Sequence, residues 1–158
     1  MIAGVLGWGA GRVARRIAAL LQRIDAPVLV VGDSLGRELN RLGLHVVLLT
    51  ERRRRRPLPQ VIGHVTRLPF ASGSFGGLVL NELPQEGLGA LTECARVVRE
   101  AGPFVVATES AALVRRVAPP QAVAAWLLHA RLVSIEQSYL GTTLLSTAQV
   151  RTTLTAPP

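Results

Sequence analysis

The feature that most limits what this chain can become is a set of short, unbroken apolar runs spaced by helix-length segments. Residues 28–31 read Val-Leu-Val-Val, 45–49 His-Val-Val-Leu-Leu and 104–108 Phe-Val-Val-Ala-Thr. Runs of that length without polar alternation suit strands covered on both faces, the condition of a parallel sheet. Residues 61–65 and 78–80 predict two further strands. Between them lie helical patterns at residues 37–42 (stopped by Gly43), 88–98 and 121–130. Upstream, Ile2, Val5, Leu6, Val13, Ile17, Leu20, Leu21 and Ile24 form one helical stripe, with Arg12, Arg15, Arg16 and Arg23 mostly off it. Gly4, Gly7, Gly9 and Gly11 weaken its first half, so the helix is expected from about Arg12. Residues 132–139 and 142–150 read as two strands joined at Gly141. The expectation is therefore an α/β fold: a mostly parallel central sheet, helices on both faces and an antiparallel C-terminal hairpin. Residues 1–24 form a basic amphipathic helix segment and residues 25–155 a single domain.

Composition narrows the functional classes. The chain has 158 residues, enough for one domain with a real core. It is 49% hydrophobic, yet no run of 18 or more apolar residues is free of charges and turn breakers, so no transmembrane helix is expected. The basic residues of the N-terminal segment follow its apolar stretch, the reverse of a secretory signal. A single cysteine, Cys94, excludes an internal disulfide and fits a reducing, cytoplasmic setting. His45, His64 and His129 lack the close spacing of a local metal-binding motif, so no metal is expected. The formal charge of +8, carried entirely by arginine, attracts polyanions: nucleic acid, an anionic membrane surface or an acidic protein.

Three segments occur in an order that carries a resemblance. Val28-Leu29-Val30-Val31-Gly32-Asp33-Ser34-Leu35-Gly36 is similar to "VLDVGCGTG". Thr66-Arg67-Leu68-Pro69-Phe70-Ala71-Ser72-Gly73-Ser74-Phe75 looks like "xLPFxdgSFD". Glu93-Cys94-Ala95-Arg96-Val97-Val98-Arg99-Glu100-Ala101-Gly102 is similar to "ExxRVLrPGG". Together they resemble the class I S-adenosylmethionine-dependent methyltransferases, the Rossmann-like family, and within it the branch acting on small molecules. The resemblance implies a cofactor site built from Gly32, Asp33, Ser34, Gly36, Thr50, Glu51, His64, Val65 and Asn81. A glycine-rich turn after the first strand lets backbone pass close to a ligand, and the helix behind it presents N–H groups.

The acidic positions of the family are largely replaced. Its acid in strand one matches Val30 and the middle glycine of its loop matches Ser34. The acid closing strand two, which holds the ribose diol, matches Thr50, with Glu51 one place late. The aspartate near the adenine matches His64, and the aspartate opening strand four matches Gly76. A charged hydrogen bond contributes roughly 1.5–3 kcal/mol, and micromolar binding needs about 8 kcal/mol. Losing two such contacts leaves roughly 2–5 kcal/mol, which is millimolar or weaker. S-adenosylmethionine is thus the only cofactor implied, and its binding is expected to be weak or absent.

Arg52, Arg53, Arg54, Arg55 and Arg56 follow the second strand, where five cations repel a sulfonium and favour anions. They read as a solvated loop or as a docking patch for RNA, lipid or an acidic protein. Trp8, with Arg12, Arg15 and Arg16 after it, suits an interface with a partner protein or a membrane surface, which adds a membrane-peripheral location to the cytoplasmic one. Asn81 and Glu82 either cap the segment that follows or touch a substrate. No catalytic constellation stands out. The leading expectation is a degenerate, non-catalytic methyltransferase-like protein, a pseudoenzyme serving as a binding or structural subunit of an assembly. The alternatives are an active methyltransferase on a small metabolite and RNA binding through the arginine loop.

Overall fold

A computed structural model describes residues 10–52, 55, 58–84, 86–109 and 119–151, with backbone only at Ala10, Asp33 and Ser34. In chain order the elements are α1 (Ala10–Leu21), β1 (Val28–Val31), α2 (Asp33–Arg41), β2 (Val46–Thr50), β3 (Gln60–Ile62), β4 (Gly77–Asn81), α3 (Leu88–Val97), β5 (Pro103–Glu109), α4 (Pro120–His129), β6 (Leu132–Leu140) and β7 (Thr143–Val150). The seven strands form one sheet in the order β3-β2-β1-β4-β5-β7-β6. β1 to β5 pair in parallel, and β7 joins β5 and β6 antiparallel.

The unbroken apolar runs are explained by a core on each side of the sheet. In β1, β4 and β5, Val28, Val30, Val79, Val105 and Ala107 enter one cluster, which α1 and α2 complete. Their neighbours Leu29, Leu78, Leu80, Phe104 and Val106 enter the other, completed by α3 and α4. Each of these three strands has two buried faces, so side-chain alternation separates two cores rather than core from solvent. Helix α1 follows the same physics: Val13, Ala14, Ile17, Ala18 and Leu21 are buried, while Arg12, Arg15 and Arg16 stay exposed. Leu20, expected on the apolar stripe, is 41% exposed. The helix packs against α2 and β5, sharing the core of the sheet.

Helix α1 ends at Leu21, short of residue 24, most other ends shift by a residue, and two boundaries near the carboxyl ends of the strands differ by more. Helix α2 begins at Asp33 rather than residue 37. Gly36, inside the helix, packs closely on β2: a Cβ there would stand 3.0 Å from Leu48 Cδ1. Strand β3 ends at Ile62 rather than residue 65. Gly63 still bonds through its N–H to the Thr50 carbonyl (3.0 Å), and then the chain turns, with Arg67 N–H bonding to the His64 carbonyl at 3.0 Å.

Candidate functional site

The strand order reverses between β1, which leads outward to β2 and β3, and β4, which leads to β5. In an open α/β sheet the crevice at the carboxyl ends of such strands is where ligands bind. The fold brings most of the sequence-derived site residues to that edge. Gly32 makes the turn into α2, Asp33, Ser34 and Gly36 lie at the start of that helix, Thr50 ends β2, Glu51 follows it, His64 and Val65 follow β3, and Asn81 ends β4.

Gly32 has φ +134°, a conformation that side chains disfavour, and a Cβ at this position would stand 2.5 Å from Asn81 Cβ. Turn and strand end are therefore in close contact, and only glycine fits. At the end of β2, the pairing of Val31 with Leu49 and of Thr50 with Ile62 fixes the register. It leaves Thr50 buried, and its hydroxyl has no hydrogen-bond partner among the described residues. Glu51 lies beyond the strand with an exposed side chain.

Glu51 meets two residues from other segments. His64 Nε2 stands 3.6 Å from Glu51 Oε1 and 3.2 Å from Glu86 Oε1. The other ring nitrogen, Nδ1, lies 2.7 Å from the Thr66 hydroxyl. Glu86, in the turn before α3, was not singled out in the sequence; nothing local marks it, because only the tertiary fold places it here.

On the other flank of the crevice Glu82 follows β4 with φ +80°. Its Oε1 accepts the Glu109 N–H at 2.9 Å. Burial pushes the Glu82 carboxyl above the ordinary value of 4.5, and repulsion from Glu109 adds to this, opposed by that backbone hydrogen bond. Glu109, at the end of β5, accepts hydrogen bonds from the Thr142 and Thr143 hydroxyls. Sequence reading missed Glu109, which has no motif around it.

The segment from Leu68 to Phe75 leads from this edge to the amino end of β4, and α3 holds it. Arg96 forks onto Glu93, Nε to Oε2 and Nη2 to Oε1, both at 2.8 Å. It also donates to the carbonyls of Phe70 (2.9 Å) and Leu68 (3.3 Å), while Glu93 Oε1 accepts the Leu68 N–H at 2.9 Å. The hydrogen bonds from Arg96 hold the Glu93 carboxyl below its usual value. Phe70 packs edge-on against Phe75, with ring centroids 4.8 Å apart.

Several solved structures share the fold. No protein-family model and no curated protein matches the sequence. Among solved structures, a putative methyltransferase of Haloferax volcanii, in complex with the Trm112 methyltransferase activator, matches with a TM-score of 0.71 and 15% identity, over 92% of this chain and 90% of that one. A 1,6-didemethyltoxoflavin-N1-methyltransferase of Burkholderia thailandensis, with 1,6-didemethyltoxoflavin and S-adenosylhomocysteine bound, matches with 0.69 and 17%, over 91% and 79%. A possible histamine N-methyltransferase of Thermotoga maritima matches with 0.72 and 12%, over 91% and 90%. The chain has the class I methyltransferase fold.

Within that fold the replaced positions acquire physical meaning. Val30 is fully buried in the sheet core. Gly76 is buried too, and a Cβ there would run into Ile24 Cγ2 and Ala26 Cβ (2.8 Å), so apolar atoms fill the space beside it. Of the arginine run, Arg52 and Arg55 are exposed, and Arg53, Arg54 and Arg56 lie outside the described residues, as does Trp8. Arg12, Arg15 and Arg16 belong to α1, on the sheet face shared with α2, apart from the carboxyl-edge cluster. Cys94 is buried in the core, and burial pushes its thiol up to about 12, so it takes no part in the crevice. Among the described residues, no helix is long and apolar enough to cross a membrane.

Proposed function

We propose that this chain is a methyltransferase-fold protein without methyl-transfer activity, working as a binding or structural subunit of an assembly. The observation that carries the reading is the end of β2. There the family-like ribose carboxylate is replaced by a buried threonine, and the neighbouring acid, Glu51, is turned toward His64. One-residue slippage could exchange Thr50 for Glu51, but it would turn every β2 side chain to the opposite core, against the pairing of Val30 with Leu48 and Val31 with Leu49. These residues do not fit a cofactor held through its ribose by a β2 carboxylate. The Haloferax neighbour, solved with a protein partner, supports a role for this fold within a complex. The +8 charge favours an acidic partner.

Calorimetric titration with S-adenosylmethionine and, separately, S-adenosylhomocysteine tests the loss of activity. No binding at millimolar ligand is expected; micromolar binding overturns the reading. Size-exclusion chromatography across a salt series tests the assembly. A stable monomer that behaves identically at all salt concentrations would count against it.

A second reading, an active methyltransferase on a small metabolite, is favoured by one feature: the Gly32 turn keeps its glycine-only backbone against Asn81. Methyl transfer depends mainly on in-line positioning, so a missing general base does not exclude it. In it Gly32, Ser34 and Gly36 shape the loop, Glu51 holds the ribose and Val65 flanks the adenine.

A further inference from the structure

Glu51, His64 and Glu86 come from three separate segments: the end of β2, the turn after β3 and the turn before α3. Each offers one donor atom, and those three atoms lie within 4.8 Å of one another. His64 Nε2 is 3.2 Å from Glu86 Oε1. Two ligands on one tetrahedral ion with bonds near 2.0–2.1 Å stand about 3.3 Å apart, so this pair already has the spacing of a chelate. Glu51 Oε1, at 3.6 Å from the same nitrogen, completes a triangle with a small movement of an exposed side chain.

Two further features suit a cation. A metal-binding histidine uses one ring nitrogen while the other bonds to a nearby group that fixes the ring, and the Thr66 hydroxyl at 2.7 Å from Nδ1 occupies that position. The Thr66 hydroxyl lies 2.7 Å and the Thr66 N–H 3.4 Å from Nδ1, so the ring can hold either tautomer. When Nδ1 carries the proton and donates it to the hydroxyl, the lone pair of Nε2 faces two carboxylates, an arrangement a cation between them would satisfy. One imidazole nitrogen with two carboxylate oxygens suits zinc and the neighbouring first-row divalent ions, whereas calcium and magnesium prefer all-oxygen sets. The arginine run that begins at Arg52 opposes a loosely held cation, so binding has to rest on direct ligand bonds.

We propose that Glu51, His64 and Glu86 form a three-ligand site for a divalent transition-metal ion of the zinc class, with open positions for water or a partner's side chain. The assignment rests on the reading that Glu51 and His64 hold no adenosine, and the two are tested by separate signals. Tag-free, chelator-treated protein is titrated with Co²⁺ in the absence of any nucleoside, and its visible ligand-field spectrum is followed. A 1:1 complex is expected, displaced by Zn²⁺. Its affinity should fall at least tenfold in His64→Ala and in Glu86→Gln, and by about 10–100-fold in Thr66→Val through loss of ring orientation. Far-UV circular dichroism confirms that these surface variants fold. Absence of a 1:1 complex, or unchanged affinity in His64→Ala, overturns the site. S-adenosylmethionine binding is measured by calorimetry on the metal-free protein. Micromolar cofactor binding there refutes the proposed function, and the cobalt spectrum then decides the metal site independently.

Discussion

Replacing Glu93 by glutamine probes the contact that locks the 68–75 segment to α3. In the folded protein its carboxylate accepts two hydrogen bonds from Arg96 at 2.8 Å and one from the Leu68 N–H at 2.9 Å. Charged hydrogen bonds contribute roughly 1.5–3 kcal/mol each and neutral ones about 1 kcal/mol. Neutralising the acceptor and turning an amide N–H₂ toward the guanidinium would cost about 2–5 kcal/mol in a dry site. The Arg96 side chain is 34% exposed, so screening reduces the expected loss to about 1–3 kcal/mol. Arg96→Leu also abandons the carbonyls of Leu68 and Phe70, and should cost about 2–4 kcal/mol. The double variant should lose less than the sum of the two, because both remove the same fork. Acid provides an independent check of sign. The folded carboxyl lies below its ordinary value of 4.5, so its stabilisation is present above that value and fades as pH falls through the folded one. Urea unfolding at pH 7, repeated in steps down to pH 3, should therefore show the gap between wild type and Glu93→Gln closing below about pH 4.5. A variant within about 0.5 kcal/mol of wild type at pH 7, or a gap that does not narrow at all between pH 7 and pH 3, would refute the reasoning.

Four further outcomes are expected. Gly32→Ala should lose about 2–4 kcal/mol in denaturant unfolding, part from φ +134° and part from the contact with Asn81; adding Asn81→Gly should restore only the second part. Thr50→Val should raise stability by about 1 kcal/mol by removing a buried hydroxyl with no partner among the described residues, and a loss instead would show that the hydroxyl is bonded in solution. The raised Glu82 carboxyl burdens the fold when ionised, so Glu82→Gln should be the more stable form at pH 7, with the two urea midpoints converging as pH falls to 4.5 and below. Buried Cys94, pushed up to about 12, should ignore Ellman's reagent at pH 8 until denaturant unfolds the chain, and rapid native-state labelling would contradict its placement.

Much of the fold is legible in the sequence because strands buried on both faces leave an unambiguous mark. Val28–Val31 is read without error, and the C-terminal hairpin is found by the turn at Gly141. Element ends are less legible: α2 begins at Asp33, inside the stretch read as a turn, and around Gly63 the sequence still suits a strand while the chain leaves the sheet after Ile62. The candidate site is legible only in part. Glycine turns and strand ends are local features, but the meeting of Glu51, His64 and Glu86 spans 35 positions and depends on where β2, β3 and the turn before α3 end. Spacing rules for metal ligands describe ligands on one element, so they are silent about a set assembled across three.

The resemblance and the departures from it divide along a physical line. Leu68, Phe70, Phe75, Glu93 and Arg96, the parts of the motifs that persist, are those that pack or bind one another: two aromatic rings edge-on, and a guanidinium forked onto a carboxylate while holding two carbonyls of the loop. They are scaffold, and any sequence keeping this fold keeps a use for them. Val30, Thr50, His64 and Gly76 stand where the resemblance implies acids, and three of the four are buried. Gly76 lies at the amino end of β4, its N–H on the Pro27 carbonyl, away from the carboxyl-edge crevice, and Ile24 and Ala26 are packed where its side chain would be. The motifs of this chain therefore testify to architecture more strongly than to activity.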